Sequence, residues 1–461
     1  METKMAAIPE EFKEAIKTQF GEEDGSELLS SLEETPSVSL RLNRRKTGAG
    51  SGTASAKEKP YADMREVPWA EGGYWLSERP RFTNHPWLHG GGFYVQEAAS
   101  MFISTLVKEV VAGEGGRPLK VLDLCGAPGG KSIGSLESLP DGSVLVSNEV
   151  TPSRTGALKE NMTKWGFPGS IVTSGPASAF GKMTGYFDLV IVDAPCSGEG
   201  MMRKEAVART QWSEHLVEQC AALQREILED VMPALKSGGW LVYSTCTFNR
   251  KENEENVEWL VKTLGLEPEG KARRFTPHRD STEGLFMALL RKPAGEEIAS
   301  CGDKKANKKV KKGEEKRMDA AVKSAALKWL KKGDWDITEH NGMLLGRIPG
   351  VSETIAALPD GIRVLKSGVE IGEIKGRDLV PAHGLALSTA MAAGAFPEVE
   401  LTLEEALRYL SRESPMLPAD SPRGYIAVNY KGVRLGFVKN LGSRANNLYP
   451  KEWKIRTLQG I

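Results

Sequence analysis

FDLVIVDAPCSGEGMMRK, residues 187–204, decides the fold. Leu189, Val190, Ile191 and Val192 make an apolar, largely β-branched run bounded by turn formers, which reads as a buried strand of a parallel sheet. At its end the composition changes to Asp193-Ala-Pro-Cys196-Ser-Gly-Glu-Gly. A carboxylate, a proline and a thiol thus sit at the carboxyl end of a strand, where open α/β sheets bind ligands. By itself the stretch is equally a strand with an ordinary loop, in which Cys196 is a small hydrophobe. The surrounding chain separates the two readings.

Working outward, strands alternate with helices on both sides. KVLDLC (120–125) reads as a first strand, GAPGGKS (126–132) as a tight turn into a helix, and SVLVSNEV (143–150) as a second strand ending in Glu149. A short third strand at 170–174 precedes the quoted fourth; a helix at 219–235 leads to a fifth, GWLVYST (239–245). Residues 274–278 and 284–292 read as a closing hairpin. This alternation is the signature of a βαβ domain. It predicts an α/β fold, a Rossmann-like doubly wound sheet of seven strands with the last antiparallel.

The flanks are less regular. Pro9-Glu10-Glu11 starts a helical stretch with Phe12, Ile16 and Phe20 on one face. Residues 38–43 alternate like a strand, and 48–56 are small and loop-like. HPWLHGGGFYVQEAASMF (85–102) suits either a planar ligand or the packing of two domains, and packing is favoured. KKANKKVKKGEEKR (304–317) is a basic run without apolar periodicity, a solvated linker that can also touch RNA phosphate. A helix is expected at 320–331 and strand-rich chain at 335–380. A last unit from Phe396 has a helix at 403–411 and strands 424–430 and 433–439 about the Lys431-Gly432 turn.

A chain of 461 residues holds about two to four domains. Lys+Arg and Asp+Glu both total 61, so any basic surface is local. Five scattered cysteines argue against a disulfide framework and fit a reducing compartment. No CxxC pair or His/Cys cluster suggests a metal, and no run is apolar enough to span a bilayer. The expectation is a soluble cytoplasmic monomer.

The first turn lacks GxGxxG, which excludes the dinucleotide fingerprint. Gly130-Lys131-Ser132 imitates the end of a phosphate-binding loop, but the required leading glycine falls on Cys125. What remains is a glycine-rich turn able to hold a carboxylate, and an acid, Glu149, placed to accept from ribose hydroxyls. That pairing suits S-adenosylmethionine. Ser244-Thr-Cys246-Thr ends the fifth strand, so Cys246 and Cys196 meet beside Asp193. A disulfide is the plain alternative, but adjacent cysteines at a ligand-binding edge are more often reactive. Two thiols beside a methyl donor suggest addition of one thiolate to carbon-6 of a pyrimidine, which makes carbon-5 nucleophilic.

These motifs carry a resemblance. VLDLCGAPGGKS, DAPCSGEGMMRK and STCTFNRKENE resemble the successive motifs of the Sun-type RNA 5-methylcytosine methyltransferases. The resemblance implies that Cys246 is the nucleophile, Cys196 assists product release, Asp193 lies between cofactor and base, and Lys131 is the lysine of the first motif. It implies cofactor contacts at Cys125, Gly126, Ala127, Pro128, Gly129, Gly130, Lys131, Glu149 and Asp193. The family's further acid after the third strand has no counterpart in Thr173-Ser-Gly-Pro-Ala-Ser178. FYVQEAASMF and RFTPHRDSTEGLFMALLRK are similar to the family's flanking segments, and GFVKNLGSRANNLYPKEWKIR looks like the PUA-like tail of the bacterial RsmF-type enzymes. In that tail Lys439, Arg444, Asn446, Asn447, Lys451, Lys454 and Arg456 offer phosphate and base-edge donors.

The implied organisation is an α+β RNA-binding extension (1–110), a methyltransferase domain (111–293), a basic linker (294–319), an intermediate domain (320–385) and a PUA-like RNA-binding domain (386–461). The implied activity is cytosine-5 methylation of small-subunit ribosomal RNA. A transfer-RNA substrate, or a non-catalytic assembly role on the same scaffold, are the alternatives.

Overall fold

The computed structural model describes residues 6–48, 59–295, 319–376 and 378–456. The basic run at 304–317 and most of the 48–56 stretch lie outside them.

The strands of the central sheet are β1 Lys120–Asp123, β2 Val144–Asn148, β3 Ser170–Ser174, β4 Phe187–Asp193, β5 Leu235–Thr245, β6 Glu267–Phe275, β7 Leu285–Arg291 and β8 Arg363–Ser367. They lie in the order β6-β7-β5-β4-β1-β2-β3-β8. The five strands β1 to β5 run parallel, with Asp193 opposite Ser244, and β7 runs antiparallel to both of its neighbours, β5 and β6. Alternate side chains of the strands enter two cores. Val121, Leu145, Val172, Ile191 and Val242 meet helix residues such as Val107, Ile133 and Leu158 on one face. Leu122, Val146, Ile171, Val190 and Leu241 meet Phe180, Leu228 and Leu260 on the other. The sheet is therefore doubly wound, as its apolar runs require.

All seven expected strands form, but β5 already begins at Leu235, residues 277–280 of the expected hairpin are a helix, and two further differences stand out. β6 begins at Glu267 and not at 274, because its outer half is exposed, charged and bulged between Glu269 and Arg273. Such an edge strand carries little apolar alternation to detect. An eighth strand, β8, comes from the stretch assigned to the intermediate domain and pairs antiparallel with β3. Its Lys366 is buried, donates to Ser170 Oγ at 3.0 Å and Gly368 O at 2.8 Å, and burial pushes its pKa down to about 8. Residues 363–367 of the 320–385 stretch thus join the central sheet, while its strands at 336–340, 343–347, 369–375 and 378–381 form a separate four-stranded sheet, and a helix, His383–Leu387, spans residue 385.

Helices Glu10–Phe20 and Glu22–Ser31 break at Gly21, and a four-stranded sheet follows them. Two more four-stranded sheets fill the C-terminal third. The two ends of the chain share one core: Leu40, Trp87 and Phe93 pack with Leu407, Ile426, Leu435 and Tyr449. The aromatic stretch 85–102 packs in this way, with Trp87 Nε1 donating to Tyr430 O at 3.0 Å. Gly91 has φ +67°, and a Cβ there would lie 1.8 Å from Lys164 O, so both conformation and space demand glycine. No described helix is long and apolar enough to cross a membrane.

Candidate active site

The carboxyl ends of β4 and β5 bring together the residues that the motifs singled out. Cys196 Sγ and Cys246 Sγ lie 2.9 Å apart, and the Cys246 backbone N–H donates to Cys196 Sγ at 3.3 Å. Both side chains are half-buried, and all four described cysteines are free. Asp193, the last residue of β4, accepts from Ser244 Oγ at 2.8 Å with one oxygen and pairs with Lys131 Nζ at 2.8 Å with the other. Parallel pairing of β4 and β5 sets this geometry, since Asp193 and Ser244 are register partners and each cysteine follows within three residues.

The sulfur contact with Cys246, together with burial, holds Cys196 well above the ordinary thiol range. The two sulfurs thus sit within hydrogen-bond contact of each other. Burial works against the Lys131 charge, but Asp193 and Cys246 outweigh it and raise its pKa. The Cys196 sulfur and the Lys131 ammonium thus both neighbour the Cys246 side chain, the kind of setting in which thiol nucleophiles are found.

The glycine turn lies beside this pair. Gly126 N–H donates to Asn148 O at 2.7 Å, Ala127 O accepts from Arg154 Nη2 at 2.6 Å and Pro128 O from Asn161 Nδ2 at 2.9 Å. Burial holds the Cys125 thiol above its ordinary range. Glu149 is buried; its Oε1 accepts from Thr151 N–H at 2.8 Å, while Oε2 lies 3.2 Å from Arg154 Nη1 yet accepts no hydrogen bond. Asp123 accepts from Ser132 Oγ at 2.5 Å through Oδ2, and its Oδ1 is buried without a partner. Asp123 Oδ1, buried without a partner, and Glu149 Oε2, which accepts no hydrogen bond beside Arg154, flank the glycine turn and fit a ligand that brings hydroxyl or ammonium donors, as S-adenosylmethionine does.

Several residues at the site escaped the sequence reading. Gln96 donates to Gly130 O at 2.9 Å and accepts from the buried Arg41 at 2.8 Å, so the N-terminal sheet grips the glycine turn. Burial pushes Arg41 down to about 10. Arg203 and Glu283 form a buried bidentate pair at 2.7 and 3.0 Å that ties the Cys196 loop to the β6–β7 connection. There Gly200 and Gly284 face each other; a Cβ on Gly200 would lie 2.5 Å from Gly284 O. Glu199 and Glu252 are buried as well, although they stand inside the quoted motifs. Composition alone does not say which polar residue of a motif turns inward. In the tail, Asn447 turns inward and donates to Tyr409 O and Glu413 O. Arg444, Asn446, Lys451, Lys454 and Arg456 are exposed, and Lys439 lies over the Tyr425 ring.

A doubly wound sheet in this order, with an acid–lysine pair and two thiols at its carboxyl edge, defines a methyltransferase-type fold. Residues 116–291 match the family model described as 16S rRNA methyltransferase RsmB/F. Residues 8–98 match the N-terminal domain of 16S rRNA methyltransferase RsmF, and 396–455 the methyltransferase RsmF PUA domain. The chain is 31% identical to "Ribosomal RNA small subunit methyltransferase F" of Klebsiella pneumoniae (strain 342), covering 85% of each. It is 30% identical to the protein of the same name in Escherichia coli O157:H7, covering 96% of each. Among solved structures, a methyltransferase homologue protein from Pyrococcus horikoshii is 25% identical with a TM-score of 0.53, covering 62% of this chain and 95% of that one. NSun6 from the same organism, solved with SFG, shares the fold: 19% identity, TM-score 0.51, 63% and 99% covered. The chain belongs to the RsmB/F methyltransferase family, with RsmF-type N-terminal and PUA domains.

Proposed function

We propose that this protein is an S-adenosylmethionine-dependent RNA cytosine-5 methyltransferase that modifies small-subunit ribosomal RNA, as a cytoplasmic monomer. The observation that carries the reading is the Cys196–Cys246 pair, 2.9 Å apart beside Asp193 and Lys131. The names of the relatives support ribosomal RNA as substrate, and the N-terminal extension and the PUA domain are the expected RNA-holding parts.

S-adenosylmethionine, when bound, supplies an electrophilic methyl group. Cys125 to Lys131 and Glu149 would hold it. Cys246 loses its proton and adds as a thiolate to carbon-6 of cytosine, while Asp193 hydrogen-bonds the ring edge and Lys131 balances the charge. After carbon-5 is methylated, its remaining proton passes to water as the base, that bonding pair re-forms the 5,6 double bond, and the carbon–sulfur bond breaks so that Cys246 departs as a thiolate. Cys196, in contact with that sulfur, assists this release. Reaching carbon-6 requires an unstacked base, and extrusion costs least at a single-stranded or exposed site.

The test is methyl transfer from labelled cofactor to purified 30S subunits and to bulk transfer RNA, with Cys246→Ala alongside. Label in 5-methylcytidine of ribosomal RNA, lost by roughly 1,000-fold or more in the variant, is expected on the scale of a removed nucleophile. Cys196→Ala is expected to accumulate a covalent RNA adduct. Label in transfer RNA alone overturns the substrate, and full activity of Cys246→Ala overturns the mechanism.

A further inference from the structure

We propose that Glu199 and Glu252 are positioning residues that form a reciprocal clamp: each carboxylate, carried by one cysteine's loop, holds the backbone of the other loop and so fixes the separation of the two sulfurs. Its role in catalysis rests on the reaction proposed above; its geometry does not.

Glu199 follows Cys196 by three positions. Its Oε2 accepts from the backbone N–H groups of Phe248 at 2.7 Å and Asn249 at 2.9 Å, just past Cys246. Its Oε1 accepts from Trp212 Nε1 at 2.9 Å and Asn249 Nδ2 at 3.1 Å. Glu252 follows Cys246 by six positions and reaches back the other way. Its Oε2 accepts from the backbone N–H of Ser197 at 3.0 Å, next to Cys196, and from Gln224 Nε2 at 2.7 Å. The Asn249 amide joins the two halves, since Nδ2 also donates to Glu252 Oε1 at 2.7 Å. Between them Ser197 Oγ and Thr247 Oγ1 lie 3.0 Å apart, and Gly200 N–H donates to Cys246 O at 2.9 Å.

Both carboxylates are essentially fully buried, and neither has a salt-bridge partner among the described residues. Burying two acids without a cation is costly, and only a saturated set of donors offsets it. Hydrogen bonds from backbone N–H to a buried carboxylate are short, strong and directional. They pin main chain as well as side chain, so the loops cannot drift apart without stranding a charge. A shift of about 1 Å at a reacting atom can cost about 100-fold in rate. Holding a nucleophile and a release group within one contact distance is a task of that tolerance.

The test compares Glu199→Gln, Glu252→Gln and the milder Asn249→Ala with the wild type, using two independent readouts. The first is the rate at which diamide closes a Cys196–Cys246 disulfide in the RNA-free protein, followed by mass spectrometry. The proposal expects a fall of about tenfold or more in both glutamine variants, the equivalent of one charge-assisted hydrogen bond. Asn249→Ala is expected to fall in the same direction by less. The second is the ratio of covalent RNA adduct to released product in a single turnover. Glu252→Gln frees the Cys196 loop and should accumulate adduct; Glu199→Gln frees the Cys246 loop and should form less. Unchanged disulfide rates in folded variants overturn the clamp. Lower activity with an unchanged adduct-to-product ratio overturns its part in the reaction. Slower disulfide closure, in a protein whose wild type forms no Cys246-dependent adduct, upholds the clamp and overturns the proposed chemistry instead. Thermal unfolding of each variant identifies the ones that fold.

Discussion

At the β4–β5 end of the sheet, Glu199 and Glu252 each accept three or more hydrogen bonds. At the β1–β2 end, Asp123 and Glu149 each keep one buried oxygen with none. Both pairs are buried in one domain, within a few residues of the same sheet edge. The difference lies in who completes the coordination. On the thiol side the chain does so itself, which preorganises the reacting groups. On the glycine-turn side the chain leaves acceptor capacity, at a standing cost in the free protein, for a ligand to fill.

The comparison breaks most severely at the Arg203–Glu283 pair on the saturated side. Arg203→Met strands a buried carboxylate, eased among the described residues by Lys204 at 3.3 Å. A loss of about 3–5 kcal/mol in urea unfolding is expected. A loss under 1 kcal/mol would mean that this side is not rigid in the way described.

The next effect lies on the open side and depends on pH. Burial pushes Asp123 up to about 7, against an ordinary value near 3.8. Between those values the folded protein binds more protons than the unfolded chain, so stability falls as pH rises through that window. Asp123→Asn should remove this share of the slope. It should be about 3–4 kcal/mol more stable, relative to wild type, at pH 8 than at pH 4, measured without ligand by urea unfolding. Parallel curves for the two proteins would refute the assignment.

The smallest effect sharpens the contrast. Glu149→Gln should weaken S-adenosylmethionine by about tenfold in calorimetry, one hydrogen bond's worth, and leave unfolding nearly unchanged. Destabilisation without loss of affinity would place Glu149 with the saturated group.

The strands β1 to β5 were legible because they are apolar runs ending in chemically distinctive turns, and those turns carried Lys131, Asp193, Cys196 and Cys246 with them. β8 was not legible. RVLKS has no buried alternation to read, and its lysine is inside only because Ser170 Oγ and Gly368 O receive it. Glu199, Asn249 and Glu252 were visible as letters of a motif but not as parts of one network. Their partners lie about 50 residues apart in sequence and meet only when β4 and β5 pair. Gln96 lies in the aromatic stretch read as packing, but its own role, a hydrogen bond to the turn, had no signal in that stretch.

One consequence of β8 concerns self-association. β3 would otherwise end the sheet with a free row of N–H and C=O groups, the template on which chains join edge to edge. Residues 363–367 cap that row from the far side of the basic run. A chain cut after β7 would keep every thiol and carboxylate of the site, yet present an adhesive border to its own copies. The C-terminal third thus turns β3 from an edge strand into an internal one and passes the edge to β8, a short strand that opens on the exposed charge of Arg363.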